Sequence, residues 1–426
     1  MHEESTPGHR SVAQDENPRL RYWAVMVSAF FASLGYGMVG PLLPLHARAT
    51  GGSIAVAGLV MSALGLGRVV TNVAAGHAGD RYGYRPVIAF GSMAWAVVGV
   101  LYSQAKAADR LIPLSFAMGI GRGAQWTGLL ASAVSLSTAK TRGRMLSVLS
   151  TFDILGYCPG PVIGGLLAER IGPGAPFLGL AVLEAIAGII VLTLLREGRR
   201  EKREAPLPGT GTAPSVTGER PDRLPRLFRL LAAGQFMILF GAAGTFGTIM
   251  PLIGVARCGL SASQVGGVLS LSLGLMLLSM QVAGRLFDAG FRWQGLAGGT
   301  AAGVAAMVVL AYARTGTAFS GAVALMVVAS GFVYPVPAAL AAGLFGHDRL
   351  GQVMGLLQTA GDAGSCIGPV ALGHIVEMAK GDYAVPVLLH ASIYSTVFVS
   401  LVAAIRRPQI PATIISRGTL RSGSLT

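Results

Sequence analysis

The chain has 426 residues, of which 52% are apolar and only 12% charged, with a formal net charge of +14. An ordinary soluble domain is about 25% charged, and most apolar runs here lack the charged face a soluble helical protein needs. In a soluble protein the positive balance would point to nucleic acid, but its distribution, described below, gives it another meaning. A polar stretch, 1–22, comes first and carries Glu3, Glu4, Asp15 and Glu16. It lacks the basic region and short apolar core of a cleavable signal, so the first apolar span is expected to be the insertion signal. Runs of about 20 residues with few charges, the length that crosses a bilayer, then follow in two groups of six. The first group is 23–45, 55–76, 86–104, 111–138, 145–168 and 175–195; the second is 228–250, 262–283, 293–313, 317–342, 351–377 and 384–404.

Between the groups, 196–227 is charged and then rich in Pro, Gly and Thr. It cannot bury enough apolar surface to fold, and is expected to be a flexible linker on the anionic cytoplasmic leaflet. The tail, 405–426, reads similarly. Ser261 and Gln264 have capping-box spacing, which marks a helix start ahead of the eighth span. The 60 glycines sit largely inside the apolar runs, where small residues let helix backbones approach closely. Cys158, Cys258 and Cys366 have no metal-ligand spacing and read as small packing residues. Neither the linker nor the tail holds a catalytic constellation, so no enzyme, metal or cofactor is expected.

The two groups repeat one another. Gly76 and Asp80 recur 208 residues later as Gly284 and Asp288, and Gly156, Cys158, Gly160 and Pro161 recur at the same offset as Gly364, Cys366, Gly368 and Pro369. A constant offset over so long a stretch predicts an all-α integral membrane protein of twelve transmembrane helices in two pseudo-symmetric six-helix bundles. The expected organisation is an N-terminal tail (1–22), a first bundle (23–195), a linker (196–227), a second bundle (228–404) and a C-terminal tail (405–426). Parallel repeats of hydrophobic helices place a solute site at the interface between halves.

Of the 33 Lys and Arg residues, Arg68 and Arg122 lie within spans. With the N-terminus in the cytoplasm and the loops alternating, Arg48, Lys106, Arg110, Arg170, Arg257, Arg314 and Lys380 fall outside, and all the others inside. This bias follows the positive-inside rule and predicts a multi-pass protein of the cell (inner) membrane with both termini cytoplasmic. The charge is thus topological, and no nucleic-acid partner is expected.

GHAGDRYGYRP, from Gly76 to Pro86, resembles the motif G-x-L-A-D-R-x-G-R-[RK] that follows the second helix of the major facilitator superfamily. Gly76, Asp80, Arg81, Gly83 and Arg85 match it, while Ala78, Gly79 and Tyr84 depart from it. The second copy keeps Gly284, Leu286, Asp288 and Arg292. The glycines suit a tight turn and close helix contact, and Asp80 can accept from a helix N-terminus or pair with an arginine. The resemblance implies a latch on the cytoplasmic side. GYCPGPVIGG resembles the fifth-helix pattern G-x-x-x-G-P-x-x-G-G of exporters and antiporters, through Gly156, Gly160, Pro161, Gly164 and Gly165. The second copy retains Gly364, Gly368, Pro369 and Gly373. Proline should bend this helix while the glycines clear one face. In the fourth span Arg122, Gln125 and Gly128 resemble a third family pattern, with Trp126 where a glycine is expected. The chain is accordingly identified as resembling the drug:proton antiporter branch. Its first span, Trp23 to Leu45, has no charge, whereas many of that branch carry an acid there, which counts against a lipophilic-cation specificity.

Polar residues present in only one half are where the halves diverge. At the repeat offset Arg68 faces Met276, Arg122 faces Ser330, Asp153 faces Gly361, Glu184 faces Ser392, and Asp362 faces Ile154. Each charge near mid-span costs about 2.5–3.5 kcal/mol or more, so all five should face the interior, pair and mark a pathway. Structural ion pairs between helices are the alternative. The resemblance implies proton-coupled export of a small organic solute by alternating access; mid-span positions in opposite halves, beside the bends, make Asp153 and Asp362 the preferred proton carriers, with Arg68, Arg122, Gln125 and Glu184 on the same pathway. The expected partners are a small-molecule substrate, protons or another coupling ion, and the bilayer. A nutrient importer and a transporter-like scaffold or sensor remain alternatives.

Overall fold

The computed structural model describes residues 18–137, 141–195, 226–344 and 350–406. The first bundle contains α1 (Pro18–Val39) with its continuation α2 (Leu42–Ala49), α3 (Ile54–Tyr82), α4 (Tyr84–Gln104) and α5 (Ala108–Ser135). It is completed by α6 (Arg142–Tyr157), continued as α7 (Gly160–Arg170), and by α8 (Ala175–Leu194). The second begins with α9 (Arg226–Phe240), which passes through a π-helical stretch, Gly241–Ile249, into α10 (Met250–Ala256). Then come α11 (Ala262–Asp288), α12 (Arg292–Tyr312), α13 (Gly316–Val333) with α14 (Val336–Leu344), α15 (Leu350–Met378) and α16 (Ala384–Arg406). The expected linker and tails lie outside the described residues except at their edges.

Ten helices or helix pairs are long and apolar enough to cross a membrane. The other two of the twelve expected spans, α5 and α15, are 28 and 29 residues long. Polar residues interrupt both, Arg122 and Gln125 in the first and Gln358 and Asp362 in the second. Large apolar side chains such as Val70, Phe90, Val182, Leu271 and Val399 are more than half exposed around the outside, as a lipid-facing surface requires.

The tight turn after α3 depends on Gly83, whose φ of 91° lies in the left-handed region open to glycine. In the second half Phe291 holds the equivalent position, and the left-handed residue is its neighbour Gly290, at φ 94°. The expected bend is realised unequally. The fifth span breaks between Tyr157 and Gly160, while α15 continues through Pro369 as one helix. Two prolines, Pro159 and Pro161, interrupt the first copy, and Ile367 replaces the former in the second. One proline kinks a helix; two within three residues remove enough donors to part it.

The glycine faces pack as expected. A Cβ on Gly156, Gly160 or Gly164 would strike the α1 backbone at Phe30, Gly37 and Met38 respectively. Gly364 and Gly368 hold the same relation to Phe236 and Phe240 of α9.

Two further seams join the bundles, α3 against α15 and α7 against α11, and the same repeat offset generates both. Gly58 abuts the Pro369 carbonyl and Gly266 the Pro161 carbonyl. Val370 N–H donates to Ser62 Oγ at 3.1 Å, and Val162 N–H to Ser270 Oγ at 3.2 Å. Glu377 Oε1 accepts from Ala55 N–H at 2.9 Å, and Glu169 Oε1 from Ser263 N–H at 2.8 Å. Each glutamate therefore completes the first turn of a helix in the opposite half, beside an N-cap serine, Ser53 or Ser261. Gln264 closes the expected capping box on α11. All these contacts lie toward the starts of α3 and α11. Toward the other ends a Cβ on Gly76 or Gly284 would meet nothing within 4 Å. Among the described residues the halves are thus joined toward one face of the protein and parted toward the opposite one.

Candidate functional site

A cavity of about 330 Å³ lies between the halves. Tyr36, Met61, Arg68 and Tyr157 line it from the first bundle. Most of the wall comes from the second, including the π-helical stretch from Gly241 to Gly247, together with Met276, Tyr334 and His390. The glycines and Ala242 and Ala243 leave that stretch thin, and π-helical turns recur at functional sites. Of the six residues expected on the pathway, Arg68 forms part of this wall.

The mid-span charges sort into three groups. Arg68 of α3 faces Asp362 of α15 across the inter-half seam at 3.8 Å, with the side chains 33% and 11% exposed. Gln358 Nε2 also donates to Asp362 Oδ1, at 3.2 Å. This pair was not readable from either helix alone, because it needs the register of two helices from different bundles.

Arg122 and Asp153 form the second group, within the first bundle. Their ion pair is 3.3 Å long, and Ser33 of α1 donates its hydroxyl to the same carboxylate. The Arg122 guanidinium also lies 5.5 Å from the Tyr36 ring centroid, 5.7 Å from Trp95 and 5.3 Å from Trp126. Trp126, the departure from the family pattern, therefore forms part of the cation's aromatic surround. The uncharged first helix contributes the Ser33 hydroxyl here.

The third group is Glu184 of α8, wholly buried. Gln125 Nε2 donates to its Oε2 at 2.5 Å and contacts Ser92 Oγ at 2.8 Å. Glu184 Oε1, Gln125 Oε1 and Arg122 Nη1 are buried without a hydrogen-bond partner among the described residues. Buried polar atoms left open are uncommon, and here they cluster on one arginine.

The Gly76–Pro86 motif makes contacts within itself and to α8. Tyr84 Oη donates to Asp80 Oδ1 at 2.6 Å, so a residue that departs from the family pattern supplies a partner for the motif's acid. Arg85 reaches the Leu192 carbonyl, and Arg81 lies 5.2 Å from the Tyr82 ring centroid. The side chains of Asp288 and Arg292 lie outside the described residues.

Sequence reading passed over His390. It is buried in the cavity wall, with Nδ1 2.8 Å from Thr245 Oγ1 and Nε2 unpartnered among the described residues. The repeat holds the signal, since the equivalent of His390 at the 208-residue offset is the apolar Val182. Glu169 and Glu377 were passed over for the opposite reason: they are retained in both halves.

Residues 25–369 match the Major Facilitator Superfamily. An uncharacterized MFS-type transporter of Methanocaldococcus jannaschii is 23% identical over 359 residues, spanning 84% of this chain and 91% of that protein. Multidrug resistance protein 1 of Bacillus subtilis is 25% identical over 284 residues, 66% of this chain and 69% of that one. The crystal structure of the human organic anion transporter MFSD10 has a TM-score of 0.65 at 20% identity, covering 91% of this chain and all of that one. That of the nucleoside transporter NupG has a TM-score of 0.69 at 14% identity, again over 91% of this chain and all of the other. A two-bundle helical architecture with a cavity between its halves agrees with the match along most of the chain: this is a membrane transporter, not an enzyme, and it belongs to the Major Facilitator Superfamily.

Proposed function

We propose that the protein is a proton-coupled exporter of a small organic solute, working by alternating access in the cell membrane. The observation that carries this reading is the Arg68–Asp362 pair. It bridges the two halves at the cavity wall, so loading either partner changes the contact between bodies that must rock. A proton on Asp362, or a solute group on Arg68, dissolves the bridge. Export is supported by the fifth-span motif and by the multidrug resistance relatives. With both termini cytoplasmic, the parted face opens inward and the joined face is external, which is the state that receives a cytoplasmic solute. The Gly76–Pro86 motif then sits on the open side.

The test is transport in proteoliposomes carrying an imposed pH gradient. Solute accumulated against its own gradient, and lost when a protonophore collapses the pH difference, is the expected result. Downhill movement indifferent to pH would remove proton coupling. Orientation has its own measurement. A single cysteine at position 110 should react with an impermeant thiol reagent from outside intact cells, and one at position 200 should not. The reverse pattern would overturn the inside–outside assignment.

A further inference from the structure

Among the described residues that line the cavity, Arg68 is the one arginine or lysine, His390 is the other basic side chain, and there is no carboxylate. The rest is soft and apolar, with Met61, Met237, Met276, Met307 and Met326 beside tyrosines and Phe246. We propose that the transported solute is an organic anion: one carboxylate or sulfonate head on an apolar, preferentially aromatic body, with Arg68 as receptor of the head. This deepens the transporter reading above and rests on the cavity being the solute's path.

Arg68 is free to take such a group. A guanidinium has five N–H donors in a fixed fork, and the described contact of Arg68 with an acid is the ion pair at 3.8 Å, beyond hydrogen-bond length. A planar carboxylate entering the cavity can instead accept two parallel N–H bonds, the strongest geometry open to an arginine. Its competitor loses little. Asp362 keeps the Gln358 amide, and Tyr334 at the end of α13 lines the same cavity as Arg68. Arg122 is a poorer receptor, already enclosed by Asp153 and three aromatic rings.

The repeat sets the orientation. Arg68 and its equivalent Met276 both line the cavity, so one half presents a cation where the other presents a thioether. The anionic head belongs against α3 and the body against the methionines of the second half, whose flexible side chains accommodate varied shapes. The space, about 330 Å³, sits at the small end of the roughly 300–1,000 Å³ range of ligand pockets. An organic cation would meet Arg68 first, since the Asp362 carboxylate 3.8 Å from it is not among the described lining residues.

Three near-isosteric probes decide the matter on the purified full-length protein: naphthoate, naphthamide and naphthylmethylammonium. Naphthoate should bind saturably and raise the melting temperature, and the neutral and cationic probes should do neither. Arg68→Gln should weaken naphthoate binding about ten- to a hundredfold, the loss expected of a charged hydrogen-bonding partner, and Arg68→Lys should restore part of it. Asp362→Asn removes the competitor and should tighten binding, an increase that general destabilisation does not produce. This arm stands even if Arg68→Gln fails to fold. Preference for the ammonium probe, binding indifferent to Arg68→Gln, or no response to naphthoate overturns the anion assignment. Uphill proteoliposome transport of a cation would then leave the transporter reading intact. Naphthoate bound tightly but never moved would do the opposite.

Discussion

Asp362→Asn is expected to abolish solute accumulation driven by a pH gradient while leaving ligand-induced thermal stabilisation intact. The substitution keeps the shape and the Gln358 contact but cannot alternate between charged and neutral forms. It also removes the acid partner of Arg68. That arginine is 33% exposed into the cavity, so it stays solvated and the fold tolerates the change. Asp153→Asn should differ in kind. It leaves Arg122, only 11% exposed, without its counter-ion. Breaking a fully buried pair costs about 3–5 kcal/mol, and the aromatic rings and partial exposure reduce this to roughly 1–3 kcal/mol. Lower stability together with slower transport is therefore expected for Asp153→Asn, and lost coupling at near-normal stability for Asp362→Asn. Flux under a pH gradient and thermal melts of both variants separate the two. If both still concentrate solute, the carboxylates are structural and coupling moves to Glu184 or to another ion.

This contrast marks what the sequence could convey. Asp153 and Asp362 look alike in one dimension: each is a lone acid near mid-span beside a glycine- and proline-rich stretch. Their partners, Arg122 for one and Arg68 for the other, depend on helix rotation and inter-bundle register. Asp362 and Arg68 are nearly 300 residues apart, and no local periodicity links them. Architecture was more legible, because the 208-residue offset is a property of order along the chain. The bent-helix motif was legible in its packing and only half so in its bend, since one substitution, Ile367 for a proline, keeps α15 whole. Cavity lining was the least legible, because methionines and tyrosines scattered over many helices carry no spacing signal.

The repeat also held more than scaffold. Glu169 and Glu377 stand 208 residues apart, and each closes a helix start in the other half. Retention is what a pseudo-twofold interface demands, since one residue type meets the mirrored partner twice. The pairing of Ser62 with Val370 and of Ser270 with Val162 follows the same rule. It also gives Pro161 and Pro369 a second role, because the N–H groups one residue after them are donors that bind across the seam.

Glu169→Ala combined with Glu377→Ala is accordingly expected to unlock the joined face. Each carboxylate accepts from an N–H of a first helical turn, where it also meets the positive end of the helix dipole. Both glutamates are solvent-exposed, so each contact is weighed like an ordinary helix cap, about 1 kcal/mol. Removing both shifts the equilibrium between closed and open external faces by about 2 kcal/mol, or thirtyfold. Cys366 supplies the reporter, because it lies in the α3–α15 seam, with Sγ 3.2 Å from where a Cβ on Gly65 would stand. With Cys158 and Cys258 replaced by serine, Cys366 in intact cells should resist an impermeant thiol reagent in the parent. It should react about tenfold faster or more in the double variant, with each single variant between. Glutamine at both sites retains an acceptor but no charge and should open the face less than alanine. The folded bundles themselves should melt near the parental temperature, because neither glutamate is buried. Unchanged Cys366 labelling in the double alanine variant would show that the glycine and serine contacts alone hold the face shut, and the glutamates would then lose their role in the gate.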